Sequence, residues 1–406
     1  MPPTSPTPTH DVLIIGGGIA GLMLLDRLHT RGDSVCLIER QALGCGQTIQ
    51  SQGIIHGGLK YALGGRASAA SRAVRDMPDR WRAMLAGQGE TDLRGVTLRA
   101  PSCHVWSTGS ATSLLGLMGA KLALRTHPQK VLPGERPDVL RDVSGQVLTM
   151  AEPVLEPASM LKVLADRHTP RLHHADISEI AHTHTDVMLT TTDGREYRAR
   201  QLVLTAGGGN GALRTMAGLD STAMQTRPLR MVLARNTGAI LNGHCIRRAA
   251  PFLTITSTTD TQGQIVWQIG GDVAEHGSVL TESETIKEAI AAIRTALPSV
   301  NIDAFEWSTY EAPRAEHAVT DGHRPDLPGI VQEGEILTAW PTKLALTPLM
   351  VDELLERIPQ RVKHTAPTPP TNTPPTNTPP TSTPPVATPP WEEIAAWSTA
   401  PSARPA

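Results

Sequence analysis

Asp11–Val12–Leu13–Ile14–Ile15–Gly16–Gly17–Gly18–Ile19–Ala20–Gly21 is the stretch that decides how this chain folds. Asp11–Ile15 is a short apolar run of the kind buried on both faces of a parallel sheet. Gly16, Gly18 and Gly21 follow with the spacing GxGxxG. An amphipathic stretch then runs from Ile19 to Leu28, and a second apolar strand from Ser34 to Ile38. Strand, tight turn, helix and strand within about 30 residues make a βαβ unit. In such a unit the first glycine makes the turn and the second lets a pyrophosphate approach the backbone. The third lets helix and strand pack closely, and the helix N-terminus presents amides and a partial positive charge. Glu39, with Arg40 beside it, closes the second strand, where a carboxylate accepts the ribose hydroxyls of an adenosine. An adenine dinucleotide is the expected ligand.

Outward from this unit, a charged amphipathic helix is expected between Asp76 and Ala86. Thr97 to Leu148 is mixed, with strand-like pieces such as Cys103–Trp106, and helix returns over residues 156–166. Asp186–Thr191 and Glu196–Leu204 flank Asp193-Gly194, a hairpin signal. Strand-like runs at Leu229–Ala234, Phe252–Ser257 and Ile265–Gly270 predict an antiparallel sheet. A helix over 281–296 starts at a cap, Thr281 or Ser283, with Glu284 and Glu288 in its early turns, and Leu344 to Ile358 reads as the last helix. The fold class is therefore α/β: a discontinuous Rossmann-type domain over 9–90, 150–215 and 320–362, and an α+β antiparallel-sheet substrate domain over 91–149 and 216–319. A flexible N-terminus covers 1–8. Residues 363–406 form a disordered tail, because a Pro/Thr repeat restarting at Thr368, Thr373, Thr378 and Thr383 buries no core. Trp391–Trp397 within it is expected to dangle.

The 406 residues suffice for two domains, and 39% hydrophobic with 19% charged residues fits a soluble enzyme. A formal net charge of -2 and 3% aromatics give no basis for binding nucleic acid. Cys36, Cys45, Cys103 and Cys245 are scattered without CxxC spacing, which suggests reduced thiols and no metal site. No signal-peptide pattern and no run of about 18 apolar residues occurs, so the expectation is a cytoplasmic protein without a transmembrane segment. Peripheral membrane contact stays open.

The choice between FAD and NAD rests on two further stretches. Gly46–Gln–Thr48–Ile–Gln–Ser51–Gln–Gly53–Ile–Ile–His56–Gly–Gly–Leu–Lys–Tyr61 follows Glu39, and Gln201–Leu–Val–Leu–Thr–Ala206–Gly207 ends an apolar strand. In this order, over roughly residues 9–360, they resemble the D-amino-acid-oxidase-like (DAO) family of FAD-dependent oxidoreductases. That family includes glycine and sarcosine oxidases and, closest in pattern here, the L-2-hydroxyglutarate and glycerol-3-phosphate dehydrogenase branch. The resemblance implies that the loop through Thr48, Ser51 and Gly53 wraps a flavin and that Ala206-Gly207 also meets it. Some relatives attach FAD through a histidine in this loop. Ser51 occupies that position by spacing, so the resemblance implies non-covalent FAD.

Removing a hydride from a CH–OH carbon needs a base for the hydroxyl proton, which suits His56. The alternative role for His56 is to order its loop. Tyr61 could bond substrate or simply pack. In the family's last signature segment, Pro313-Arg314 and Asp321-Gly322-His323-Arg324-Pro325 stand here. Arg314 or Arg324 could clamp a carboxylate or phosphate, or either could be a structural arginine. The family's glycine-rich loop is replaced by Ala339–Trp–Pro–Thr342–Lys343–Leu–Ala–Leu–Thr–Pro348. The resemblance puts Thr342 and Lys343 at the flavin, and Lys343 could bind an anionic substrate or the reduced flavin's charge. The predicted substrate is a small anionic 2-hydroxy acid or polyol phosphate, with oxygen, a quinone or a carrier protein as electron acceptor. An amine oxidase on the same scaffold, a non-catalytic FAD-binding protein and an NAD-dependent dehydrogenase are the alternatives.

Overall fold

A computed structural model describes residues 9–57, 73–108, 128–182, 185–247, 250–320, 322–360 and 382–399. The opening motif folds as its pattern dictates. β1 (Thr9–Ile15) leads through the glycines into α1 (Ile19–Arg31), and β2 (Val35–Glu39) returns parallel to β1, with Val12 opposite Val35 and Ile15 opposite Ile38. Gly32 ends α1 with φ 94°, the left-handed conformation that glycine adopts without a Cβ clash. α1 buries nearly all its apolar side chains because two helices cover it, Pro157–His168 and Thr347–Arg357.

Two large sheets organise the described residues. The first is eight-stranded, in the order Gly329–Glu333, Ile336–Trp340, Glu196–Leu204, β1, β2 and Leu172–His174; the hairpin strands Val187–Thr191 and Ile177–His182 extend from Glu196–Leu204. Glu196–Leu204 and Ile336–Trp340 both run parallel to β1, so the strand ends that carry Gly16, Ala206 and Pro341 gather at one sheet edge. In open α/β sheets ligands bind at that carboxyl edge.

The second sheet is nine-stranded. Its order is Ser398–Thr399, Glu306–Glu311, Arg230–Arg235, Ile265–Gly270, Ala250–Thr259, Gly243–Arg247, Cys103–Ser107, Val147–Met150 and Gln129–Lys130. It is antiparallel as expected except where Gly243–Arg247 runs parallel to Cys103–Ser107. Helix Glu282–Ala296 packs its Ile286, Ala289, Ile290 and Ile293 against it. Of the two cap candidates the helix uses Thr281, whose hydroxyl accepts from Glu284 N–H while Glu284 accepts from Thr281 N–H. Such a reciprocal cap contributes about 1 kcal/mol. Among the described residues no helix is long and apolar enough to cross a membrane.

The expected disorder of 363–406 is corrected for residues 382–399, which run as a strap over both sheets; residues 1–8 lie outside the described set. Leu43 N–H donates to Pro385 O at 2.7 Å, and Ala387 N–H donates to Leu43 O at 2.9 Å. Trp391 is buried against Leu233 and Val266, with the Arg99 guanidinium 5.1 Å from its ring centroid. Glu392 accepts from Thr261 N–H and Oγ1–H, and Ser398–Thr399 adds an edge strand beside Glu306-Trp307. The rest of the tail, 363–381 and 400–406, lies outside the described residues; a Pro/Thr composition gives a segment no core of its own. It said nothing of a tryptophan adding to a core built elsewhere.

Candidate functional site

One cleft of about 1460 Å³ runs from the glycine turn to the second sheet. That exceeds the few hundred to about 1,000 Å³ of most small-ligand pockets and suits a dinucleotide together with a substrate. At its first end the glycines meet a steric demand. Gly16 has φ 109°, and a Cβ there would lie 2.5 Å from Ala206 Cα; a Cβ on Gly21 would lie 2.1 Å from Gly16 O. Turn, helix and neighbouring strand therefore approach more closely than any side chain allows. Gly18 faces the cleft, and among the described residues a Cβ there would find Thr48 Oγ1 as its one close neighbour, at 3.3 Å.

The Thr48 hydroxyl accepts from Ile19 N–H at 3.1 Å, so it supplies a partner to one of the orphan donors of α1. Glu39 is tied to its own turn: Oε2 accepts from Gly17 N–H at 2.7 Å and Oε1 from Gln41 N–H at 2.8 Å. An ionised carboxylate has about four acceptor sites, so Glu39 keeps capacity for ribose hydroxyls. Arg40 is exposed on the same rim, near Ala175 and Asp176. Ser51 Oγ lines the cleft, buried and without a hydrogen-bond partner among the described residues. Gly53, at φ 73°, passes Leu155 so closely that a Cβ would lie 2.0 Å from its carbonyl oxygen. Ala206 N–H donates to the buried Asn210 side chain at 2.8 Å, and Gly207 takes φ 55° before the helix Asn210–Met216. The close-approach glycines, the unbonded Ser51 hydroxyl and the spare acceptor sites of Glu39 fit a bound FAD.

The loop without glycines keeps a glycine's conformation. Thr342 has φ 63° and is held there by its hydroxyl, which donates to Leu327 O at 3.0 Å. Lys343 Nζ donates to Asp326 O at 3.1 Å, and Lys343, Leu344 and Ala345 line the cleft ahead of helix Thr347–Arg357.

At the far end His56 faces partners from two other elements. Its Nδ1 lies 3.7 Å from Glu152 Oε2, and its ring centroid lies 5.3 Å from that of His244, tilted by 40°. Glu152 and His244 are buried; Glu152 Oε1 accepts from Gly57 N–H at 2.5 Å, and His244 Nδ1 shares a 2.9 Å hydrogen bond with Thr254 Oγ1. The sequence reading missed Glu152, His244 and Thr254. The bridge between Ile54 and Val154 and the pairing of Gly243–Arg247 with Ala250–Thr259 bring them together, and no local pattern signals either.

Arg314 lies on the cleft with no carboxylate at ion-pair distance among the described residues, and burial pulls its pKa below the usual arginine range. Its neighbour Arg227 differs: it forks onto the buried Glu316 at 3.0 and 3.1 Å and reaches Glu275 at 2.9 Å. Tyr310 donates to Gln50 O at 3.1 Å and is pushed up to about 12 by burial. Arg324 is exposed at the cleft mouth, and Tyr61 lies outside the described residues.

Residues 11–333 match the model of the FAD-dependent oxidoreductase (DAO) family. The chain is 39% identical over 353 residues to a probable FAD-dependent oxidoreductase of Pseudomonas aeruginosa, spanning 86% of this chain and 90% of that one. The crystal structure of a Pseudomonas aeruginosa FAD-dependent oxidoreductase superposes with a TM-score of 0.79 at 34% identity, over 96% of this chain and 99% of that one. A glycerol-3-phosphate dehydrogenase of Mycobacterium tuberculosis is 29% identical over 235 residues, covering 54% of this chain and 44% of that protein. The FAD-bound L-alpha-glycerophosphate oxidase of Mycoplasma pneumoniae has the same fold, with a TM-score of 0.65 at 16% identity over 86% of this chain and 95% of that one.

Proposed function

The chain belongs to the FAD-dependent oxidoreductase (DAO) family, and from that premise we propose that it oxidises a small anionic CH–OH compound, a 2-hydroxy acid or a polyol phosphate. The observation that carries this reading is the chemistry lining one cleft: a guanidinium without a carboxylate at ion-pair distance among the described residues, and an imidazole set against a buried carboxylate. A half-buried cation without a counterion has lost hydration and recovers it only in part from distant charges. A carboxylate or phosphate docked on Arg314 supplies that counterion, with the fork geometry that guanidinium groups offer such anions.

When bound, non-covalently in this reading, FAD supplies the two-electron sink that takes the carbon-bound hydrogen with its electron pair. The protein's part is to hold the substrate and manage its proton. Arg314 holds the anionic end, with Arg324 and Lys343, which also line the cleft, adding positive charge. His56 takes the hydroxyl proton. Gly16, Gly18, Glu39, Arg40, Thr48, Ser51, Gly53, Ala206, Gly207 and Thr342 line the course proposed for the cofactor, and Gly21 lets α1 pack closely beneath it. The test is anaerobic bleaching of the purified yellow protein with lactate, sn-glycerol 3-phosphate, glycine and sarcosine. Bleaching by a hydroxy compound, weakened at least tenfold in saturation by Arg314→Ala, is expected. Bleaching by the amines alone would overturn the reading.

A further inference from the structure

His56 does not stand alone, and its surroundings are more elaborate than loop ordering needs. Glu152 is only 3% exposed, yet it is a carboxylate facing an imidazole. Burying a carboxylate costs several kcal/mol unless hydrogen bonds and opposite charge offset the loss. The Gly57 N–H supplies one such bond, to Oε1, while Oε2 is turned to His56 Nδ1. His244, 2% exposed, has its ring held through Nδ1 by Thr254 and brings a ring nitrogen within 4.8 Å of both Glu152 and His56. His244 lies on strand Gly243–Arg247, and Glu152 lies two residues before the short strand Val154–Leu155, with its Oε1 bonded to Gly57 N–H.

We propose that Glu152 is a positioning residue for His56, selecting the tautomer with hydrogen on Nδ1 so that Nε2 is the atom that takes the substrate's hydroxyl proton. This deepens, and rests on, the proposed oxidation of a CH–OH compound. Glu152 faces Nδ1 across 3.7 Å, an ion-pair rather than a hydrogen-bond separation, and its negative charge favours the hydrogen on that nitrogen and the lone pair on the other. The step is a proton transfer. The substrate O–H bond breaks, an Nε2–H bond forms, and the imidazolium so made sits 3.7 Å from a carboxylate that offsets its charge. His244 completes the wall; its Thr254 bond fixes the ring that lies against His56.

The tautomer can be read without a substrate. In FAD-loaded protein labelled with ¹⁵N-histidine, the two-bond ¹H–¹⁵N spectrum shows which nitrogen of His56 carries hydrogen, with His56→Gln assigning the signal. The expected result is the Nδ1–H form in the wild type, giving way in Glu152→Gln to a mixture with Nε2–H. An Nε2–H wild type would overturn the proposal even if Glu152→Gln failed to fold. So would an unchanged tautomer in a folded Glu152→Gln protein, or one equivalent of zinc held by the wild type and lost in that variant.

The kinetic arm uses whichever of lactate and sn-glycerol 3-phosphate bleaches the flavin. Glu152→Gln should slow bleaching 10- to 100-fold, change half-saturation less than threefold, and alter the pH profile, with Glu152→Asp recovering part of the rate. A loss confined to half-saturation would overturn the proposal. If neither hydroxy compound bleaches the flavin, the functional reading fails while the tautomer measurement still decides the role of Glu152.

Discussion

Two turns of this molecule do the same job by different means. Gly16–Gly21 and Pro341–Leu346 each leave the end of a strand of the eight-stranded sheet, border the cleft and feed a helix. The first uses glycine at each critical position. The second has none, although Thr342 adopts φ 63°. The difference separates two demands that glycine usually meets together. At Gly21 the need is space alone, since a Cβ would overlap the Gly16 carbonyl, while Gly16 meets both demands, with φ 109° and Ala206 in the way of a Cβ. At Thr342 the need is conformation alone, and a left-handed β-branched residue costs about 1–3 kcal/mol, partly offset by its bond to Leu327 O.

The largest expected effect breaks the space demand. Gly21→Ala puts a methyl 2.1 Å from Gly16 O and 2.7 Å from Thr205 Oγ1, and should cost about 3 kcal/mol or more. The protein should purify colourless or aggregate; a yellow, stable Gly21→Ala protein would show that the turn can shift. The second test asks whether outside bracing distinguishes the turns. The strap pairs with Leu43, whose side chain packs on Gly17, so it braces the glycine turn. Trp391→Ala in the full chain should lose about 3 kcal/mol in denaturant unfolding and release FAD faster on dilution, read by the rise in flavin fluorescence. Equal retention would confine the strap to the second sheet.

A smaller effect is expected from Thr48→Val, which leaves Ile19 N–H without its side-chain acceptor and should cost about 1 kcal/mol in equilibrium unfolding. The smallest is Thr342→Gly, which relieves the left-handed strain and loses the Leu327 bond, for a net change within about 1 kcal/mol. Thr342→Ala keeps the strain without the bond and should be the less stable of the two. If Thr342→Ala proves the more stable, the left-handed conformation carries no strain at this position and the comparison fails.

Much of this was legible because it is local. The β1–α1–β2 unit, the Asp193-Gly194 hairpin and the Thr281–Glu284 cap are each written within a few tens of residues, where periodicity and turn chemistry act directly. The carboxylate behind His56 was not legible. Gly57 and Glu152 are 95 positions apart and meet where an isolated antiparallel bridge joins Ile54 to Val154. The strap escaped for a similar reason: its composition forbids a core of its own, and its partners Leu43, Thr261 and Trp307 are distant in sequence.

By itself the sequence determined the α/β class, the dinucleotide turn and the family, because the spacing of Gly16, Gly18 and Gly21 after an apolar strand allows few other conformations. Only the tertiary structure decided what surrounds His56, left Arg314 without a carboxylate at ion-pair distance among the described residues while Arg227 received two, and laid the tail across both sheets. Those outcomes depend on which distant strands share a sheet, and so on the summed burial and backbone pairing of the whole chain.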